Sequence, residues 1–498
     1  MIVELLSVLT IFIGGCALTR VTGLKGWPLP AIGFAAGVAL LVIIGTLQAI
    51  TALPTSPVLA LVLTFLLPVA WWFRAFLSGQ EVSIKPIPTI ITLFIFILAS
   101  LVLRNIVSVT PDSFQYVTIG SLLESGNFSE ASPLILLKRF IAVPILHSPA
   151  NLAEGFYIRS ITPLLALSLL ICLVWFINKG LSVSLKDPVI ISLFTTAAVL
   201  LLVTNNRFVF NMFYINSHML VALFLLLLVG SGWLLLRQAD VPQQTLIMLQ
   251  VISIPVLTLA RPEASIYAGI ALIPILIAER VSLKNRMLLL LVLGVSVISW
   301  HGFLWIKYDA DGSDVPFSVL AMLAYGILVI IITPLLAWKP LYKLIPYSVV
   351  LTESGLWLAL LVMVYINPSI FHRSVLATIE NVILDAGGWG VSLAFIGFIV
   401  LGVLVFSQVP DRLILRFPLT TFIPLSLLLA YLRSGAYRVG HGDSLNRMFI
   451  HILPLAVLFI VSSAATDQFS LPEGLRKYWL LLVTRINKYK YIFAKNNL

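Results

Sequence analysis

Apolar runs of fifteen to twenty-odd residues follow one another along this 498-residue chain, parted by short polar breaks. A run of about twenty apolar residues can cross a hydrocarbon layer of about 30 Å, and backbone groups inside that layer must pair within their own segment. The runs therefore predict transmembrane helices near residues 2–18, 30–50, 57–73, 87–103, 160–178, 188–203, 217–236, 245–260, 264–278, 288–306, 317–337, 345–366, 391–406, 417–432 and 447–463. That makes about fifteen, within a range of 13 to 15. Runs as uniformly apolar as residues 220–236 exclude the short alternating strands of a membrane barrel. The expected fold class is all-α and polytopic.

One break is long. Between residues 104 and 159, Tyr116, Ile119 and Leu123 recur at helical spacing, and the apolar stretch 132–146 is interrupted by Lys138, Arg139 and Pro144. Both are too short or too broken to span, so they are expected to lie on the membrane surface as amphipathic helices and roof a cavity.

Composition fixes the solvent. Sixty per cent of residues are hydrophobic, 10% are charged and mean hydropathy is +1.08, far from the roughly one quarter charged of a soluble chain. Connections after odd-numbered spans, with the C-terminal tail, hold 20 of the 31 Lys and Arg residues and the others hold 11. Positive charge is retained on the cytoplasmic side, so the N-terminus is expected outside and the C-terminus inside a cell's inner (plasma) membrane. The net charge of +11 and the basic tail 466–498 serve topology and the membrane surface, not nucleic acid. Cys16 and Cys172 both lie in apolar runs, and no disulfide framework or thiolate metal site follows from them. No Gly-rich phosphate loop points to an ATP-driven engine.

The remaining polar chemistry collects on the outer side. Thr110 suits a helix cap, Pro111 the first helical position and Asp112 the first turn, where the helix dipole favours a carboxylate by about 0.3–1 kcal/mol. That structural task and a catalytic one are both open to Asp112. Residues 204–219 offer Asn205, Asn206, Arg207, Asn211, Asn216 and His218; Arg261 and Glu263 share a turn between two spans; residues 433–451 bring Arg433, Arg438, His441, Asp443 and Arg447. Each cluster has a plain explanation as turn or ion pair. Their convergence is harder to explain so, because positive-inside selection alone leaves outer loops poor in Arg. Outer arginines suggest an anion there, since a guanidinium matches phosphate oxygens bidentately.

The loop carrying "PDSFQY" (111–116), "YINSHM" (214–219) opening a span, "RPE" (261–263) and "GDSLNRMFIHILP" (442–454) together resemble the GT-C superfamily of polytopic membrane glycosyltransferases, over about residues 87–465. The resemblance implies a sugar donor on a polyprenyl phosphate and transfer to a lipid-linked, glycan or protein acceptor on the extracytoplasmic face. By it Asp112 is the catalytic carboxylate, and Arg261, Arg433, Arg438 and Arg447 are candidates for the donor phosphate. Tyr116, Asn205, Asn206, Arg207, His218, Glu263, His441 and Asp443 are candidate substrate contacts. Many members pair acids where Ser113 here follows Asp112, which weakens the expectation of a divalent metal; no other cofactor is implied. Four spans precede the loop where the family commonly has one, so residues 1–80 read as an added N-terminal element before a catalytic domain at 81–465. The rival reading is a transporter or flippase of lipid-linked sugars, with Glu353, inside a predicted span, carrying a coupling proton. A third is a glycan ligase or polymerase with a pyrophosphate-linked donor.

Overall fold

The computed structural model describes residues 2–51, 56–78, 94–99, 101–102, 107–153, 155, 157–278, 281–337, 347–406, 412–433 and 435–465. The basic tail, the boundary near residue 80 and most of the predicted span 87–103 lie outside them. The described residues form helices joined by turns and loops, with no strand among them and a single isolated bridge between Ser108 and Tyr214.

The helices are α1 (Ile2–Val21), α2 (Leu29–Ile50), α3 (Pro57–Leu77), α4 (Pro111–Glu124), α5 (Pro133–Lys138), α6 (Ala142–His147), α7 (Ile161–Leu181), α8 (Pro188–Val203), α9 (Asn206–Met212) and α10 (His218–Arg237). They continue as α11 (Gln243–Ala260), α12 (Pro262–Ile277), α13 (Leu283–Ala310), α14 (Phe317–Leu335), α15 (Ser348–Ile366), α16 (Pro368–Val382), α17 (Ser392–Phe406), α18 (Leu413–Leu432) and α19 (Ser444–Ala464). Local signals start many of them. Proline occupies the first turn of α3, α4, α8 and α12, where its missing N–H costs no helical bond. Ser56, Asp187, Ser282 and Asp443 cap α3, α8, α13 and α19 by accepting from backbone N–H groups.

Among the described residues eleven helices are long and apolar enough to cross a membrane. The protein is therefore a multi-pass helical membrane protein, and the expected count of about fifteen is not reached among the described residues, which leave out most of the predicted span 87–103. Three of the predicted spans are helices of 16, 16 and 15 residues: α8, α12 and α17. Apolarity gave their positions correctly while saying nothing of where the chain turns. α8 ends at Thr204 and bends by 82° into α9, and the two count as one broken span if taken together, giving twelve.

Helix α10 is the axis of the bundle. Its side chains are buried from His218 to Leu235, and α7, α11, α12, α18 and α19 pack around it. The N-terminal helices are not a detached unit, since α2 packs on α6, α7 and α11. α1 and α2 meet backbone to backbone through glycines: a Cβ on Gly15 would lie 1.8 Å from the Gly33 carbonyl oxygen, and one on Gly37 would lie 1.8 Å from that of Ile11. Such contact lets dispersion act where lipid offers no hydrophobic gain for association. The sequence "IFIGGC" is part of this interface within α1. Helix α15 is peripheral and leaves most of its apolar side chains exposed, and α17 exposes Phe395, Phe398, Leu401 and Val405.

Replacing Gly15 or Gly37 by Val is expected to lower the thermal unfolding midpoint in detergent, because overpacking costs about 1–3 kcal/mol even where side chains alone must shift. Gly402→Ala in α17, where nothing lies within 4 Å of the added atom, should leave the midpoint unchanged or raise it.

Candidate functional site

The site lies at the end of the bundle where the axial helix α10 begins. Its roof is the surface loop with α4 to α6, and the loop joining α9 to α10 holds that roof in place. Ser108 donates its N–H to the Phe213 carbonyl at 2.7 Å, and Ser113 donates from Oγ to the Ile215 carbonyl at 2.9 Å. The expected cap on α4 takes a different form: Ser113 Oγ accepts from the Thr110 N–H at 3.2 Å, and the Thr110 hydroxyl turns to Tyr214 Oη at 2.9 Å.

Asp112 stands in the first turn of α4, as its sequence position requires, yet its carboxylate does more than face the helix dipole. Oδ1 accepts from Arg139 Nη2 at 2.6 Å, and Oδ2 accepts from Arg447 Nη1 at 2.9 Å and from Tyr214 Oη at 3.3 Å. The roof is thereby fastened to α19 across 335 residues of sequence. Partial burial pulls the Asp112 carboxyl up, but the hydrogen bond from Arg447, the charges of Arg139 and Arg447 and the Tyr214 hydroxyl together outweigh it and hold the carboxyl below its ordinary value. The Tyr214 hydroxyl is pushed up, chiefly by burial, so it remains a donor. Arg139 is oriented by Gln115, which accepts from Nε at 2.7 Å, and lies over the Tyr116 ring at 5.5 Å.

A second group of ion pairs sits beside the first. At Arg261 the chain is extended between α11 and α12, with φ −162° and ψ 151°, which frees its side chain from either helix. Arg261 Nε donates to the buried Glu263 carboxylate at 2.6 Å, and Arg433 approaches the same oxygen at 3.7 Å. The local ion pair anticipated between Arg261 and Glu263 is thus present. Arg261 Nη1 also meets His218 Nε2 at 3.1 Å, and His218 Nδ1 meets His451 Nε2 at 2.9 Å. A guanidinium can only donate. Neutral His218 must then carry its proton on Nδ1 and pass a hydrogen bond to His451, whose own proton falls on Nδ1.

The two groups act on one another. Arg261 feels the charge of Asp112, and Arg207 and Arg447 repel each other. Arg207 donates to the His441 carbonyl and lies 3.4 Å from its ring nitrogen. Five arginines (139, 207, 261, 433 and 447) therefore share the site with two carboxylates, Asp112 and Glu263, and even with Asp443 counted the arginines outnumber acids five to three. Among the described residues no three His, Cys, Asp or Glu side chains gather as a metal-binding group.

Other candidates are placed differently. Tyr116 is buried under Arg139 with its hydroxyl 3.4 Å from Ser217 Oγ. Asn205 caps α9 through Phe208 and bonds Ser392, while Asp443 caps α19 and accepts from the Arg438 N–H. Asn206 and the Arg438 side chain are exposed, and Arg438 joins the network through its backbone alone. Sequence reasoning missed Arg139, Tyr214 and His451 as members. His451 had a legible signal, since it lies one helical turn from Arg447 on the same face of α19. Arg139 and Tyr214 had none, because only the folded roof brings them to Asp112.

Helices α15 to α19 enclose an apolar groove of about 650 Å³. On α19 it is lined by Phe449, Ile452, Leu453 and Ala456, so it starts two residues from Arg447 and runs away from the site. No protein-family model, characterised protein or solved structure matches this chain.

Asp112→Asn and Arg447→Gln should each lower thermal stability, and the double variant should lose less than the sum of the two by roughly 0.5–3 kcal/mol. Since the folded carboxyl is depressed, its pairing contributes above the ordinary value near 4 and is lost as pH falls through the lower folded value. Wild-type protein should thus lose more stability than Asp112→Asn on acidification below about pH 4, as read by unfolding midpoints across a pH series.

Proposed function

We propose that the protein is a GT-C-like glycosyltransferase that moves a sugar from a polyprenyl-phosphate donor to an acceptor on the extracytoplasmic face of the inner membrane. One observation carries the reading: an arginine-rich site around an ionised carboxylate adjoins a groove shaped for an apolar chain. A phosphate head with a long hydrocarbon tail satisfies both halves, and a soluble anion satisfies only the first. The charge bias of the loops puts this end of the bundle outside.

The chemistry follows from the pairing of Asp112. General bases work best near the operating pH, and a carboxylate clamped by two guanidiniums is a weak one. When a donor phosphate draws Arg447 toward itself, Asp112 loses a partner and its basicity rises. The acceptor hydroxyl then attacks the anomeric carbon, its proton passes to Asp112, and the bond from that carbon to the phosphate oxygen breaks. The phosphate leaves as an anion, with Arg447 and Arg261 stabilising its charge by an amount on the order of 3 kcal/mol per well-placed donor. The energy comes from the donor's own bond, so no nucleotide site is required.

In lipid vesicles without an ion gradient, a radiolabelled polyprenyl-phosphate sugar and a membrane-lipid extract as acceptor should yield free polyprenyl phosphate. Asp112→Asn should cut that release by about 100-fold or more while leaving polyprenyl phosphate binding intact or tighter, because Arg139 and Arg447 are released from their internal anion. Label that crosses the bilayer with its sugar bond unbroken would overturn the reading.

A further inference from the structure

A second polar site lies at the other end of the bundle. Helices α15 and α18 run side by side toward the arginine site: Tyr431, near the end of α18, donates to the carbonyl of Asn367, just past α15, at 3.0 Å. Near their starts Glu353 and Arg416 pair, with Arg416 Nη2 at 3.1 and 3.0 Å from the two carboxylate oxygens and the Thr420 hydroxyl donating to Oε1. Glu353 is five residues into α15 and Arg416 three into α18, or about 7.5 and 4.5 Å from the helix starts at 1.5 Å per residue. At 19 and 20 residues the two helices are about 28 and 30 Å long, close to the thickness of the hydrocarbon core itself. The pair therefore lies about 5–8 Å inside the end of the bundle away from the arginine site, a distance that a snorkelling guanidinium spans to reach the headgroups, and not at the midpoint of either helix.

The pair is not closed off. A cavity of about 550 Å³ opens beside it, lined by Glu353, Ser354, Trp357, Arg416 and Thr420, with Leu358 and Leu361 continuing its wall. Both leucines are 63% exposed on the membrane-facing side of α15. Glu353 keeps accepting capacity on Oε2, and Arg416 Nε is buried without a hydrogen-bond partner. An unsatisfied guanidinium N–H is costly in such surroundings unless a ligand oxygen meets it. Trp357 and Thr420 also line the long apolar groove, so hydrocarbon has a continuous path away from the charges.

We propose that this cavity binds the headgroup of a zwitterionic aminophospholipid, with its phosphate against Arg416, its ammonium against Glu353 and its chains along Leu358 and Leu361. A cation and an anion held side by side complement a headgroup that carries both signs a few bonds apart. An anionic headgroup without an amine meets a guanidinium already half neutralised and a carboxylate that repels it. The site is independent of sugar transfer, so its test does not rely on that activity.

Protein taken from vesicles of equimolar phosphatidylethanolamine and phosphatidylglycerol and examined by native mass spectrometry should retain the ethanolamine lipid over the glycerol lipid by about tenfold. Glu353→Gln should bring that ratio close to one. Because removing one partner of an ion pair in an apolar bundle can destabilise it, the paired replacement Glu353→Met with Arg416→Met serves as the folded control: its unfolding midpoint should stay near wild type while lipid retention is lost. Equal retention of both lipids by the wild type, or an unchanged ratio in the paired variant, would refute the site.

Discussion

Five guanidinium groups at one end of an apolar bundle repel one another, and the arrangement exists because Asp112 and Glu263 stand among them. Each acid serves two arginines from different parts of the chain: Asp112 takes Arg139 and Arg447, and Glu263 takes Arg261 and Arg433. Remove either carboxylate and the cluster holds like charges in surroundings that screen them poorly. The same pairings join the surface roof to α19 and the α11–α12 junction to the end of α18. Fold and candidate chemistry thus share one electrostatic framework. An incoming anion enters it by exchange, taking over arginines that the protein's own acids already hold.

Much of this framework was legible in the sequence. Apolar runs of full length located the spans, and Pro at first helical positions with Ser or Asp before them marked several starts. The arginine clusters now seen at one end of the bundle were legible because they stand against the charge bias of the other connections. Asp112 was visible only as an ambiguity between helix dipole and chemistry. The fold turns it toward arginines 27 and 335 residues away, and neither separation leaves a periodic trace. Asn205 and Asp443 carry a task that their polar clusters did not announce: their side chains start α9 and α19.

Glu353 illustrates why depth cannot be read from position within an apolar run. The run that contains it begins near residue 345, but what matters physically is which helix lies opposite. Arg416 sits there, so a carboxylate that alone would point to proton movement through the membrane is held in an ion pair. The two charged sites of the protein occupy opposite ends of α18, one around Arg433 and the other around Arg416.

The shortness of α8 has a consequence for the membrane itself. Its sixteen residues, closed by Asp187 and Thr204, rise only about 24 Å, against about 30 Å of hydrocarbon, and it shows its flank to lipid through Leu193 and Leu200. Bilayers answer such hydrophobic mismatch by thinning locally, at a modest cost for each ångström. Since α8 turns by 82° into α9, which carries Arg207, the bilayer should be pinched beside that turn, and a lipid leaving the bulk leaflet there would find its phosphate plane lowered toward the arginines before it touches them.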